Sequence, residues 1–360
     1  MKESHKAKPR VTMADVGRRC GYHCSTVGLA LRNHPRITEA TRQRILKAAD
    51  ELGYRPDPAL SSLIAHRRNL QTPTGVSTIG VLSDSSPARR WRDSHFTGRE
   101  YFEGMVHQAN ALGFQLDEFS IGNDHEKQKR VDGILKARGI RSVVVAPMHS
   151  LTLPLSIDWS AYSAVAIGYS LPKPRLRCVT HQHRTGAQMA VEELLRLGYQ
   201  RVALILPFSY DKRVGHGSSA GFFCSSQLYR DRMEFLSYFT MDHNNLCTEE
   251  VLGWIRSNRP EAVITSQQHF HDYLVHQGFR IPEDIGYVEL GWNRNRPEIS
   301  GVNQNSTEVG KEVINWIAAL NEVNRLGLPL VREIRLVQGT WVPGKTVRRV
   351  GAPRIEEEPV

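Results

Sequence analysis

Along the first sixty residues the apolar positions recur at helical spacing in three short bursts. Met13, Val16 and Cys20 share one face of a first segment, Val27, Ala30 and Leu31 one face of a second, and Ile45, Ala48, Ala49 and Leu52 one face of a third. Thr12 with Asp15 three residues on predicts a capping box at the first start, and an acid there suits the positive end of the helix dipole. Gly21 predicts a left-handed stop. The second helix is expected from Cys24 to Arg32, with Cys24, Ser25, Gly28, Leu29 and Arg32 on its exposed face. The third is capped by Thr38, runs to about Leu52 and is closed by Gly53, with Tyr54 packing back on the core. A short helix, a glycine turn and a second short helix is the helix-turn-helix plan, which aims the first residues of the second helix at a major groove. Asp57 as a cap and Pro58 at the first helical position predict one more short helix, reaching Arg68 and too short to stand alone in water. Asn69 to Ser77 reads as a linker broken by Pro73 and Gly75.

From residue 77 the period changes. Short apolar strands are expected at 77–82, 114–119, 142–146 and 163–167, with helices at 101–112 and 127–138 between them. The alternation then restarts: a helix at 185–197, a strand at 201–206, a helix across Leu228 to Phe239, a strand at 262–265, a helix at 270–277, a strand at 286–290 and a long helix at 307–320. Repeated β-α units predict parallel sheets covered on both faces, and two such runs predict two lobes. Ligands in these folds sit at the carboxyl ends of the strands.

Composition sharpens this picture in one respect. Hydrophobic residues at 40% and charged residues at 23% are ordinary for a folded domain. The net charge of +10 is not spread evenly: residues 1–68 hold 14 basic and six acidic residues, so +8 of it lies in the first fifth of the chain. That is either a solvated basic face or a polyanion-binding head on a near-neutral body. The five cysteines, at 20, 24, 178, 224 and 247, do not read as a disulfide framework, and only Cys20 and Cys24 are close, without a second pair at zinc-ligand spacing. The spacing of His181/His183 and of His269/His271/His276 favours pocket-lining or solvated roles over metal. Hydrolase, zinc-protease and phosphate-loop patterns are missing, so neither a catalytic nor a metal site nor a cofactor is expected. Without an export signal or a run of roughly 18 apolar residues, a cytoplasmic protein is expected.

Residues 11–68 resemble the DNA-binding head and hinge of the LacI/GalR family of bacterial regulators. The resemblance rests on Val11-Thr12 with Asp15-Val16, Ser25-Thr26-Val27, Thr41-Arg42 and the run Leu52-Gly53-Tyr54-Arg55-Pro56. The body adds Gly113-Phe114, Leu194 to Val202, Gly278 to Gly286 and Gln304-Asn305, and is similar to that family's ligand-sensing body, itself like the periplasmic sugar-binding proteins. The likeness covers roughly residues 11–348. It implies an all-α helix-turn-helix head at 10–55, a hinge helix at 56–68, a linker at 69–76, an α/β effector-binding and dimerisation body of two lobes with parallel sheets at 77–349, and a tail at 350–360. It implies a nucleoid-associated homodimer on a pseudo-palindromic stretch of double-stranded DNA, with no membrane partner. The DNA-contacting set it implies is Thr12, Cys24, Ser25, Thr26, Leu29, Arg32, Arg55, Ala59, Leu63 and Arg67. Leu63 stands where the family wedges a leucine between base steps. For Leu29 a base-facing and a core position both stay open, as do a wedge and a hinge contact for Leu63.

The chain departs from the family pattern in several places. His23 replaces a small capping residue, Leu29 a polar base-reading residue, and Arg32 an asparagine. The arginine expected shortly before Gly221-Phe222 is missing, and Gln267-Gln268 stands where an Asn-Asp is usual. Candidates for the effector cleft are loop residues after the strands: Ser83, Trp91, His149, Gln182, Tyr210, Gln267, Trp292 and Gln304. Rings with planar amides suit a sugar. The lost charges leave three options open: an unusual sugar, a non-sugar, or no effector. A solute-binding protein and an α/β enzyme are the competing classes; the basic head counts against the first and the missing catalytic signature against the second.

Overall fold

The computed structural model describes residues 11–31, 37–54, 77–84, 91–94, 96–122, 124–148, 154–171, 173–241 and 245–351. The expected hinge helix at 56–68, with Arg55, Ala59, Leu63 and Arg67, lies outside the described residues, as do Arg32 and His149. The head together with Ala319–Arg325 forms one compact unit and the rest of the body another.

The head holds α1 (Met13–Cys20), α2 (Cys24–Leu31) and α3 (Glu39–Glu51). Their apolar stripes meet in one core of Val16, Cys20, Val27, Ala30, Ile45, Ala48 and Ala49, with Tyr54 packed against it. The capping box is formed on both sides. Thr12 Oγ1 accepts the Asp15 N–H at 3.3 Å, and the Asp15 carboxylate accepts the Thr12 N–H at 2.8 Å. These bonds from Thr12 hold the Asp15 carboxyl below its ordinary range. Gly21 stops α1 in the left-handed region, at φ 79°. One expectation fails here: Gly28 is buried, because with Val27 and Ala30 it lies where α2 packs on α1 and α3.

The body begins with β1 (Ser77–Ser83), the short α4 (Trp91–Ser94), α5 (Phe96–Ala111), β2 (Phe114–Ser120), α6 (His125–Ala137), β3 (Ser142–Val145), β4 (Ser163–Ile167) and β5 (Arg177–His181). It continues with α7 (His183–Arg196), β6 (Arg201–Pro207), α8 (Phe208–Arg213), α9 (Gly217–Leu228), β7 (Glu234–Thr240), α10 (Glu249–Asn258), β8 (Ala262–Thr265), α11 (Gln268–His276), β9 (Gly286–Glu289), β10 (Ser300–Asn303), α12 (Ser306–Glu322), β11 (Ile334–Val337) and β12 (Thr340–Val342). Among the described residues these strands form two six-stranded sheets, in the orders β11-β5-β4-β3-β1-β2 and β12-β10-β9-β8-β6-β7. Each sheet is the centre of one lobe. The first is parallel throughout and the second parallel except for β12 against β10. Central strands such as β3 and β4 are buried at every position, as a sheet covered on both faces requires.

Two expectations in the body are corrected. Residues 228–239 are not a helix: α9 ends at Leu228, and Glu234–Thr240 pairs with β6 over seven positions. The strands β5, β10, β11 and β12 and the helix α10 were not expected. The chain passes between the lobes at 181–183, between β10 and β11, and again at 337–340. These passages are laced together: the Gln182 N–H donates to Val337 O at 2.8 Å and Asn305 Nδ2 to Gln338 O at 2.9 Å. Among the described residues no helix is long and apolar enough to cross a membrane.

Candidate nucleic-acid interface and ligand cleft

The first turn of α2 is the exposed end of the helix-turn-helix. Cys24 and Ser25 are exposed, Thr26 and Leu29 half-buried, and Thr12, at the start of α1, is exposed. The turn between α1 and α2 is made possible by a glycine the sequence reading passed over. A Cβ at Gly17 would fall 2.4 Å from the Tyr22 carbonyl oxygen. His23 takes the place of a small cap by using its ring: Nδ1 accepts the Ser25 N–H at 3.4 Å and lies 2.9 Å from Ser25 Oγ. The head's arginines also brace it, Arg19 reaching Glu51 on α3 at 3.1 Å and Arg44 lying over the Tyr22 ring.

In the body, the carboxyl ends of the strands and the lobe crossings meet around a small cavity. Its walls are His181, Gln182, His183, Gly186, Ser218, Leu290, Val302, Gln304 and Gly339. Of the sequence candidates, Gln182 and Gln304 line it. Tyr210 is not part of its wall, and burial pushes that phenol up to about 12. Tyr210 lies on α8 and not on a loop. The other candidates are placed differently. Ser83 ends β1, and its carbonyl accepts the Ile121 N–H at 2.9 Å. Trp91 opens a helix and is 3% exposed, edge-on to Phe102. Gln267 is 8% exposed, and its side-chain oxygen already accepts the Leu246 N–H at 2.9 Å. Trp292 follows β9, half-buried, with its backbone N–H on Val302 O at 3.0 Å.

Two residues outside the candidate set tie the lobes together at this point. His181 Nδ1 is 2.8 Å from Gln304 O, which can only accept, so Nδ1 carries the ring proton. His181 Nε2 is therefore the acceptor for the Tyr101 hydroxyl at 2.5 Å. Tyr101 on α5 and His181 on β5 belong to the first lobe, Gln304 to the end of the second. Gln304 Nε2 in turn donates to Leu290 O at 2.6 Å. Burial holds His181 down to about 4. Burial, then the neighbouring His181 and Arg213 charges, hold His183 down to about 3. Both rings are neutral at neutral pH. The proximity of His181 and His183 in sequence was legible; the partnership with Tyr101, eighty residues away, was not.

Comparison with known proteins agrees with this arrangement. The family described as bacterial regulatory proteins, lacI family, matches residues 12–57. The HTH-type transcriptional regulator CelR of Thermobifida fusca is 22% identical over 348 residues, covering 92% of this chain and 96% of its own length. The HTH-type transcriptional repressor PurR of Vibrio vulnificus is 25% identical over 325 residues, covering 83% of this chain and 89% of its own. Among solved structures, a CelR–cellobiose complex has a TM-score of 0.60 at 18% identity, covering 94% of this chain and 100% of that one. The lac repressor dimer bound to operator and the anti-inducer ONPF has a TM-score of 0.57 at 17% identity, with the same coverage. A capped helix-turn-helix thus lies in the segment, residues 12–57, that matches the lacI family of bacterial regulatory proteins, and two parallel-sheet lobes follow it, in a chain similar over most of its length to transcriptional regulators such as CelR.

Proposed function

We propose that this chain is a sequence-specific DNA-binding transcriptional regulator, acting as a repressor, whose operator affinity is set by a small molecule held between the lobes of its body. The observation that carries the reading is the head: a tight α1–Gly21–α2 turn with Cys24 and Ser25 exposed at the start of α2, in the segment that holds most of the net positive charge. Thr12, Cys24, Ser25, Thr26, Leu29 and Arg32 are assigned to the major groove and its phosphates. Arg55, Ala59, Leu63 and Arg67 are assigned to a hinge that pairs with its copy in the minor groove. The relatives support the reading, since they include transcriptional regulators and a repressor dimer bound to operator. One head reads only a half-site, so the working form is a homodimer on a pseudo-palindrome.

The body, 77–349, takes the effector-binding and dimerisation roles, and no chemistry is assigned to it. Its proposed effector set is Ser83, Trp91, His149, Gln182, Tyr210, Gln267, Trp292 and Gln304, of which Gln182 and Gln304 share one cavity. A carbohydrate is one candidate class, as in the CelR–cellobiose complex. We place the protein in the bacterial cytoplasm, on the nucleoid.

The test is DNA binding against salt. Full-length protein should bind duplex DNA with log affinity falling linearly in log salt, at about −0.9 per phosphate contacted. A fragment of residues 77–360 should lose that binding. Tight DNA binding by the fragment would refute the assignment of the head.

A further inference from the structure

The cavity beside Gln182 and Gln304 has a wall of unpaired hydrogen-bond donors. The first turns of α7 and α9 meet there, and they meet closely because Gly217 and Gly221 carry no side chain: a Cβ at Gly217 would fall 2.8 Å from His183 Cβ, and one at Gly221 2.2 Å from Arg184 O. Neither helix is closed by the side chain of its N-cap residue, Gln182 or His216. Among the described residues the N–H groups of His183, Arg184 and Thr185 therefore have no acceptor, as helix geometry leaves them. In α9 the Ser219 N–H is taken by Asp211 at 3.1 Å, while that of Ser218 stays open.

A second observation is independent of the helix ends. Ser218 is 1% exposed and lines the cavity, and its hydroxyl has no hydrogen-bond partner among the described residues. A buried hydroxyl left unpaired points to an acceptor that a ligand brings. His183 lines the same wall, likewise without a hydrogen-bond partner, its ring edge-on to His181. The guanidinium of Arg213, which stands over the Tyr210 ring at 5.7 Å, is close enough for its charge to act on His183. Among the described residues no carboxylate lines the cavity. Two buried acids of the same lobe are committed elsewhere, Asp211 to His216 and Ser219, and Glu289 to Tyr287 and the Gly291 N–H. A cluster of neutral hydroxyls would need acceptors as well as donors. This wall offers donors and positive helix ends, which suit oxygen atoms that only accept.

We propose that this cavity receives an oxyanion, the phosphate or carboxylate of an acidic effector, and that Ser218, His183 and the open N–H groups of α7 hold it. The proposal rests on the reading of the lobe cleft as the effector site and names the ligand class.

The test uses full-length protein, with thermal shift and calorimetry at matched ionic strength. The probes are inorganic phosphate, a hexose phosphate, a hexuronate and the neutral hexose. The variants are Ser218→Ala, which removes the hydroxyl alone, Ser218→Val, which also fills the space, and His183→Phe, which keeps a ring. Phosphate and at least one acidic sugar should bind, and each variant should weaken that binding at least tenfold. Phosphate held by the basic head is unaffected by these variants, so only the variant-sensitive part counts. The hexose phosphate and the hexuronate separate a phosphate site from a carboxylate site. A neutral hexose binding tighter than both acidic forms would overturn the oxyanion and leave the cleft reading standing. Millimolar phosphate without any variant-sensitive binding would also overturn it. A cleft that binds probes while DNA affinity stays unchanged would instead sink the effector reading.

Discussion

Glu289 carries the most telling single-residue chemistry in the body. It ends a central strand and is 1% exposed, and among the described residues its carboxyl oxygens hydrogen-bond the Tyr287 hydroxyl at 3.0 Å and the Gly291 N–H at 3.4 Å. The Tyr287 hydroxyl has one proton and also faces the Gln267 carbonyl at 2.9 Å, an atom that can only accept. The contacts are all satisfied when Glu289 itself carries a proton and donates it to Tyr287. Burial pushes its carboxyl up to about 8, in agreement. A carboxyl whose folded value lies above its unfolded one favours folding at low pH, and that contribution fades as pH rises from the ordinary carboxylate range through about 8. Glu289→Gln should therefore match wild type at pH 5 and be more stable at pH 9, by on the order of a few kcal/mol. Melting curves of both proteins at the two pH values check this; equal shifts at pH 5 and pH 9 would mean the carboxyl is not held neutral. His181 and His183 work in the opposite direction. Their folded values lie below the ordinary one, so the stability they contribute is present above about pH 6.5 and lost as pH falls toward 4 and 3. His181→Gln, which cannot take up a proton, should blunt the acid-side fall in melting temperature. An unchanged acid limb would remove His181 as its cause.

At the scale of the element, glycines decide which helices can touch. Gly17 lets α1 pass under the turn into α2, and Gly104 and Gly310 bring α5 and α12 to backbone contact: a Cβ at Gly104 would lie 2.0 Å from Thr307 O, and one at Gly310 2.1 Å from Tyr101 O. Gly17→Val should cost the head roughly 1–3 kcal/mol, the usual range for overpacking. It should also abolish DNA binding, because the first turn of α2 would be displaced. Thr12→Ala should cost about 1 kcal/mol through the lost cap and leave the turn intact. Because the head and most of the body fall in separate compact units, the body's melting transition should stay in place in both variants. Calorimetry with a DNA-binding assay separates the outcomes, and full DNA affinity in Gly17→Val would refute the close-approach argument.

At the scale of the whole molecule, the proposed regulation needs the lobes to hold two arrangements that a ligand can bias. The contacts that such a motion would remake are visible: Tyr101–His181–Gln304 at the crossings, and Arg294 to Glu103 at 2.8 Å. On the proposed mechanism, two hinge segments held together fold and push Leu63 between base steps, and held apart they melt. Leu63→Ala should then lose specific affinity and DNA bending by a few kcal/mol while non-specific binding is kept. An effector that changes operator affinity must find its own affinity changed by operator to the same factor. Bending and affinity that are both unchanged in Leu63→Ala would reduce the hinge to a tether.

The head and much of the body were legible in the chain alone, because their signals are local. The capping box of Thr12 and Asp15, the left-handed stop at Gly21, and strands with apolar runs such as Val143–Val145 and Ala164–Ile167 depend on neighbours within a few residues. Residues 228–239 misled because Leu228, Leu236 and Phe239 fit a helical period, whereas Glu234–Thr240 is a strand through its pairing with β6. The ligand cleft was legible as a set of strand ends but not as a site. Gln267 and Trp91 were drawn inward, Gln182 and Gln304 were brought together, and Tyr101, His181 and Ser218 entered from elements far apart in sequence. Caps and periods are set by the local chain, and so the sequence by itself determined the helix-turn-helix and the two β-α runs. Which buried donors stay unpaired, and which carboxyl must keep its proton, depends on what packs against them, and only the tertiary structure decided that.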